Sequence, residues 1–385
     1  MEGRAVLAAL VAFAVAAVLT PVVARLARRV GAVDTLSDRG LARDATPLLG
    51  GLAIFVAAVV AGMLFLPDNE RTEAILAGAA LITIVGAVDD IRDLPPLVKL
   101  LGQVAAALIL VLHDVTVDSF TLPFVHHVDL GRLGGPVTLL GLVALMNVVN
   151  FSDGIDGLAA GVCAISAAAF SIIAFDLGRF SAAILAAITC GAALGFLLHN
   201  FHPASVFMGD CGANLLGLLL GATIVEGTLK TNALIALVGP LVVLAVPFLD
   251  TSFVVAKRLK YGRPVYRADS NHFHHRFHRI GFSQRRTVIY LYCWSLTMAG
   301  IAVALRFVPY SQNGGHLVAG WAILMGGLLL FGAAISIYLV WVLEILKLRR
   351  LRAWQLRRSD PDTSEHEIDE ALRRDLETGE FTALS

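Results

Sequence analysis

The stretch Asn147-Val148-Val149-Asn150-Phe151-Ser152-Asp153-Gly154-Ile155-Asp156-Gly157 sets two amides and two carboxylates directly after an apolar run. A charged side chain at a membrane boundary is expensive and is rarely kept without a task. Asn150 and Asp153 offer oxygen atoms of the kind a small hard cation prefers. Asp153 and Asp156 stand three positions apart, so a helical turn would bring them to one face. Gly154 and Gly157 would let a ligand approach the backbone closely. The same residue types also make ordinary turns, but the apolar flanks and the density of acids weigh toward a site.

Other acid-bearing segments repeat the pattern. Asp89-Asp90-Ile91-Arg92-Asp93 closes one apolar run, and Pro95-Pro96 breaks the helix before Lys99 opens the next. Two adjacent carboxylates repel, so a cation must lie near if both are ionised; a solvated, aspartate-capped helix end is the plainer reading. Asp210, between Gly209 and Gly212, could complete a magnesium shell or cap a helix beginning near Ala213. Asp250 and Asp269 belong to the longest polar loop, which also holds Asn271-His272-Phe273-His274-His275-Arg276. Three histidines without a nearby cysteine are a poor structural zinc site. With Arg263, Arg267, Arg279, Arg285 and Arg286 around them they suit phosphate recognition, the alternative being an amphipathic helix on anionic lipid.

The elements that must position these groups are membrane spans. The 385-residue chain is 57% hydrophobic and 16% charged, with a mean hydropathy of +0.77. Those values exclude an ordinary soluble domain and indicate an all-α polytopic membrane protein. About eleven apolar runs are long enough to act as transmembrane helices: Arg4–Leu26, Pro47–Leu66, Ala74–Val88, Leu97–His113, Val137–Val149, Leu158–Phe175, Phe180–Leu198, Ala213–Val225, Ala233–Leu249, Thr287–Phe307 and Leu317–Leu343. Most of the 30 Lys and Arg fall in loops of one side, which makes that side cytoplasmic and the N-terminus external. Every acidic motif falls on the same side, so the active-site loops are expected in the cytoplasm. The first span reads as a retained helix, not a cleaved signal. Cys163, Cys190, Cys211 and Cys293 have no paired spacing, so neither a disulfide nor a zinc framework is expected. Residues 1–343 form the membrane domain; 344–385 are a cytoplasmic tail, first basic and suited to anionic headgroups, then acidic. Acids beside a basic loop at a bilayer surface fit metal-assisted transfer of a phosphoryl-linked group to a lipid.

Over about residues 34–295 the chain resembles the polyprenyl-phosphate N-acetylhexosamine-1-phosphate transferases, which start bacterial envelope glycans. The resemblance rests on Thr46-Pro47 before Gly50-Gly51, on Asp89–Leu94 running into Lys99-Leu100-Leu101-Gly102-Gln103, and on Asn147–Gly157. It continues through Phe207-Met208-Gly209-Asp210, Pro247-Phe248-Leu249-Asp250-Thr251 and His272–Arg276. It implies eleven spans and a reaction between a UDP-N-acetylhexosamine and polyprenyl phosphate, giving a polyprenyl-diphosphate sugar and UMP. It also implies site roles. Asp89, with Asp90 beside it, matches the proposed base or activating group, and Asp153 and Asp156 match acids near the metal and nucleotide; these four are the catalytic candidates. Asn150 and Asp210 match metal-binding positions, for Mg2+ with Mn2+ as the alternative ion. Asp93, Lys99, Asn147, His272, His274, His275 and Arg276 are the substrate-binding candidates, the histidine loop for the sugar nucleotide. The His-Phe-His-His-Arg pattern resembles the N-acetylglucosamine branch, which makes UDP-GlcNAc the expected donor. Arg43-Asp44-Ala45-Thr46, Leu48 and Ala213 depart from the usual pattern. The expected setting is the bacterial inner (plasma) membrane, with membrane lipid but no nucleic acid as partner and a homodimer left open. The downstream product, whether lipopolysaccharide, teichoic acid or arabinogalactan, is open too. The pentapeptide transferase of peptidoglycan synthesis is the alternative. A cation-coupled transporter is more distant, because its acids should lie near the bilayer midplane.

Overall fold

A computed structural model describes residues 2–34, 46–122, 126–227, 244, 283–308 and 318–341, with short pieces of the C-terminal segment. Ten long helices run through these residues: α1 (Glu2–Val30), α2 (Gly51–Phe65), α3 (Glu70–Arg92), α4 (Pro96–Leu112), α5 (Gly134–Ser152), α6 (Leu158–Asp176), α7 (Phe180–Asn200), α8 (Gly209–Gly227), α9 (Gln284–Phe307) and α10 (Ala319–Trp341). They coincide with ten of the eleven expected spans; the span at 233–249 lies outside the described residues. Seven are long and apolar enough to cross a membrane, while α2 and α4 are shorter apolar helices. The chain is an all-α polytopic membrane protein. Two small antiparallel ribbons complete it. β1 (Val33–Asp34) pairs with β2 (Thr46–Pro47), and β3 (Ser119–Leu122) pairs with β4 (His126–Asp129).

Small side chains set the packing. In lipid there is little hydrophobic drive between helices, so close backbone approach and van der Waals contact hold them together. Helix α1 buries Ala5, Ala8, Ala12 and Ala16, one per turn, on one stripe. It packs there on α7, whose Gly191 and Gly195 meet the carbonyls of Ala9 and Phe13, where a β-carbon would overlap. Helix α8 is the central post, in contact with each of α2 to α7, and every residue from Cys211 to Val225 is buried. Buried hydroxyls have no water to bond in such an interior. Thr83 and Thr223 donate instead to carbonyls one turn back, Ala79 O and Leu219 O. The outward faces carry exposed apolar residues such as Leu10, Val18, Ile84, Leu140 and Leu330, as a lipid-facing surface requires.

The ends of α3, α5 and α7 and the starts of α4, α6, α8 and α9 meet at one end of the bundle. The contacts below join them. At the opposite end, ion pairs join Arg71 to Glu226 and Arg306 to Asp176.

Candidate active site at one end of the bundle

The turn from α3 to α4 builds the first half of the site. Helix α3 continues through Asp89 and Asp90, so both acids sit in its last turns and not in a loop. It stops at Asp93, which takes the left-handed conformation (φ 48°) and donates its N–H to Asp89 O at 2.8 Å. Aspartate tolerates that conformation better than most residues. Pro95-Pro96 then starts α4 where a missing N–H costs nothing. The tight turn aims the Leu94 N–H at Asp89 Oδ1, 2.7 Å away. It also brings Lys99 back from the first turn of α4, with Nζ 2.6 Å from Asp89 Oδ2. Asp89 is 6% exposed, so this ammonium and the Leu94 amide are what make its charge tolerable.

Helix α8 supplies the second half. Lys99 Nζ lies 3.4 Å from Asp210 Oδ2 and 4.0 Å from the fully exposed Asp93. Asp89 and Asp210 thus share the Lys99 ammonium. Asp90 has a different task. Its Oδ1 accepts from Asp210 N–H at 2.7 Å and its Oδ2 from Cys211 N–H at 3.3 Å. Asp90 therefore caps the N-terminus of α8 from another helix, satisfying amides that have no partner within their own helix. Gly209, with φ +71°, lies against the Asp90 carboxylate, where a side chain would collide. Gly51 of α2 and Gly86 of α3 touch the backbone of Cys211 and Gly212 with no room for a β-carbon. The Gly86 contact lets α3 approach closely enough for Asp90 to reach, and the Gly51 contact seats α2 on the same turn.

One turn further into the bundle lies a row of amides, of which the sequence assigned Asn147 to the site but not Gln103 or Asn214. Gln103 Nε2 donates to Asn214 Oδ1 at 2.8 Å, and Asn214 Nδ2 donates to Asp210 O at 2.8 Å. Asn147 Nδ2 donates to Gln103 Oε1 at 2.7 Å and to Val143 O at 2.8 Å. The signal was present: Gln103 and Asn214 stand four residues after Lys99 and Asp210, on the same helix faces.

The Asn147–Gly157 stretch divides between two places. Asn147 and Asn150 ride on α5, and Asp153 ends that helix. Residues 153–157 then form a non-helical turn closed by Gly157 at φ +80°. The expectation that a helical turn would put Asp153 and Asp156 on one face is thus corrected, because the glycines break the helix there. Asp156 Oδ2 accepts from His202 Nδ1 at 2.7 Å and from Ala204 N–H at 3.0 Å. Asn200 accepts from Gly157 N–H, Tyr292 donates to Gly157 O, and Arg285 donates to His202 O. Asp156 accordingly ties the α5–α6 turn to the α7–α8 loop, and Tyr292 and Arg285 tie both to α9. Asn150 is half-buried, and among the described residues its side chain makes no hydrogen bond. His272, His274, His275, Arg276, Asp250 and Asp269 lie outside the described residues.

An apolar helical bundle that gathers carboxylates, amides and an ammonium at one end is a membrane protein with a polar site at the bilayer boundary. Residues 72–228, from α3 through α8, match the family described as Glycosyl transferase family 4. The chain is 35% identical over 306 residues to a probable undecaprenyl-phosphate N-acetylglucosaminyl 1-phosphate transferase of Bacillus subtilis, covering 79% of this chain and 85% of that protein. It is 36% identical over 316 residues to the decaprenyl-phosphate N-acetylglucosaminephosphotransferase of Mycolicibacterium smegmatis, covering 74% and 78%. A phospho-N-acetylmuramoyl-pentapeptide-transferase of Desulforamulus reducens is 32% identical over 335 residues, covering 80% and 98%. The chain belongs to this family, and it is an enzyme, a glycosyl-1-phosphate transferase of the multi-pass membrane type.

Proposed function

We propose that this chain transfers N-acetylglucosamine-1-phosphate from UDP-GlcNAc to polyprenyl phosphate at the cytoplasmic face of the plasma membrane. The observation that carries the reading is the Asp89–Lys99–Asp210 cluster at a helix-bundle end whose outer walls face lipid. The N-acetylglucosamine specificity named for the Bacillus and Mycolicibacterium relatives supports the donor. An oxygen of the lipid phosphate attacks the β-phosphorus of the donor. The bond from that phosphorus to the bridging oxygen breaks, and UMP departs with the oxygen.

The residues divide the work. Asp89, held by Lys99 and the Leu94 amide, orients the lipid phosphate. A phosphate monoester has its second pKa near ~6, so removing its proton is not the difficult step at neutral pH. Lys99 offers its ammonium to the transferring phosphates. Asp93, fully exposed beside Lys99, borders the entrance, and His272, His274, His275 and Arg276 bind the sugar nucleotide.

The donor set fits magnesium. Asp89 and Asp210, with Asp93 at 4.0 Å, surround the single ammonium of Lys99, which leaves an excess of negative charge. Among the described residues no three His, Cys, Asp or Glu side chains converge to form a cage. That suits Mg2+, which keeps several waters and is held by one or two carboxylates together with substrate phosphates. Asp210 and Asn150 would hold it, with Asp153 nearby, and Mn2+ would substitute. When bound, it would neutralise charge on the diphosphate as the bond to UMP breaks.

The test is UMP release by purified protein with polyprenyl phosphate, Mg2+ and UDP-GlcNAc, with UDP-MurNAc-pentapeptide in parallel. Lipid-dependent UMP from UDP-GlcNAc is expected. UMP only from the pentapeptide donor would move the protein to the peptidoglycan branch, and UMP from neither would overturn this donor assignment.

A further inference from the structure

The amide row beneath the acid cluster has no part in the chemistry proposed above, yet it is fully directional and two of its three members are buried. Gln103 is 4% exposed and Asn214 5%. Hydrogen bonds run one way, from the Asn147 amide to Gln103, from Gln103 to Asn214, and from Asn214 to the peptide carbonyl of Asp210. Burying polar side chains of this kind is costly unless each is bonded, and apolar side chains of similar size would pack without that demand. Its placement accounts for its presence. Lys99 and Gln103 lie one turn apart on α4, and Asp210 and Asn214 lie one turn apart on α8. The two helices therefore face each other through two rungs, the ion pair Lys99–Asp210 and the amide pair Gln103–Asn214. Helix α4 is held mainly by α3 and α5 and makes few contacts with α8 directly, so these two rungs are what set its face against α8.

We infer that Gln103 and Asn214 are positioning residues: their bond fixes the register of α4 against α8 and so holds the Lys99 ammonium at Asp210. Asn147 extends the register to α5. The inference deepens the reading of the site as a phosphotransferase centre and rests on it for its catalytic consequence. Its geometric content can be measured without substrate.

The experiment compares Gln103→Met, Asn214→Leu and the double variant in the purified full-length protein, by three readouts. Lys99 acylation by a water-soluble amine reagent, followed by mass spectrometry, should quicken several-fold in all three, because the ammonium is no longer held against Asp210. At saturating substrates kcat should fall roughly tenfold to a hundredfold, as small misplacements of reacting groups do, with the donor KM changed less than about twofold. Gln103→Met takes a partner from Asn214 and from Asn147, and Asn214→Leu takes one from Gln103, so each single variant should lower the thermal midpoint. The double variant removes both members of the Gln103–Asn214 bond, and Asn147 keeps its bond to Val143 O, so its midpoint should recover part of the loss while kcat stays low. A kcat that recovers together with the midpoint would reduce the pair to a packing element and overturn the inference. Unchanged Lys99 acylation would overturn it as well. Wild-type protein that releases no UMP, with Lys99 acylation still quickened in the variants, would sink the reaction assigned above while leaving the register claim in place.

Discussion

At the scale of single residues, Lys99 is the group on which the site turns. Its ammonium is the shared partner of one nearly buried carboxylate and of a second at a helix start. Replacing it by methionine keeps the apolar stem and removes the charge. Asp89 would then keep only the Leu94 amide, and Asp89 and Asp210 would face each other with no cation between them. Lys99→Met is therefore expected to remove transfer by at least about a hundredfold, while the protein still inserts and purifies. Lys99→Arg would restore charge but not the compact point donor, and should remain well below wild type. UMP-release rates beside a thermal-midpoint measurement check both. Near-normal turnover in Lys99→Met would remove the lysine from the chemistry. Asp89 and Lys99 were legible as members of an ordered motif. That Asp90, adjacent to Asp89, points elsewhere and caps α8 was not. Its partners, Asp210 and Cys211, are 120 and 121 positions away, and nothing local in Asp-Asp-Ile-Arg-Asp reveals them.

At the scale of elements, the start of α8 is held by groups from other helices. Asp90 supplies the cap, while Gly51 and Gly86 supply the closeness. Asp90→Ala is expected to cost about 1–2 kcal/mol, the usual worth of a cap, read as a lowered thermal midpoint in detergent. Asp90→Asn keeps an acceptor for the short bond from the Asp210 amide and should recover most of that loss. If Ala and Asn variants were equally stable, the capping role would be wrong. Gly86→Val should do more damage, since its side chain must displace the Cys211 backbone and α3 with it. Hydropathy alone located the helices, because a bilayer demands long apolar runs whatever the residues pack against. The turn at 153–157 was misjudged for a related reason. Spacing by three suggests a helical face only where the chain is helical, and Gly154 and Gly157 end it.

At the scale of the whole molecule, α1 to α8 alternate in direction and α9 starts at the same end as α8, so every described site group falls at one end and the Arg71–Glu226 and Arg306–Asp176 pairs fall at the other. The proposed cytoplasmic placement of that end rests on the excess of Lys and Arg in the loops of the site side. The assignment has a direct test. Asp93 is fully exposed beside the acid cluster, whereas Asp68 is exposed in the turn between α2 and α3 at the far end. Cysteine placed at either position becomes a reporter for a membrane-impermeant maleimide. The background should carry Cys293→Ser, because Cys293 is exposed whereas Cys163 and Cys211 are buried and Cys190 is partly so. Asp68→Cys is expected to label in intact cells, and Asp93→Cys only after the membrane is opened. Labelling of both from one side would break the alternation of the helices on which the shared end depends. The reverse pattern would leave the fold intact but open the acid cluster to the exterior, and a cytoplasmic donor could then no longer reach Lys99.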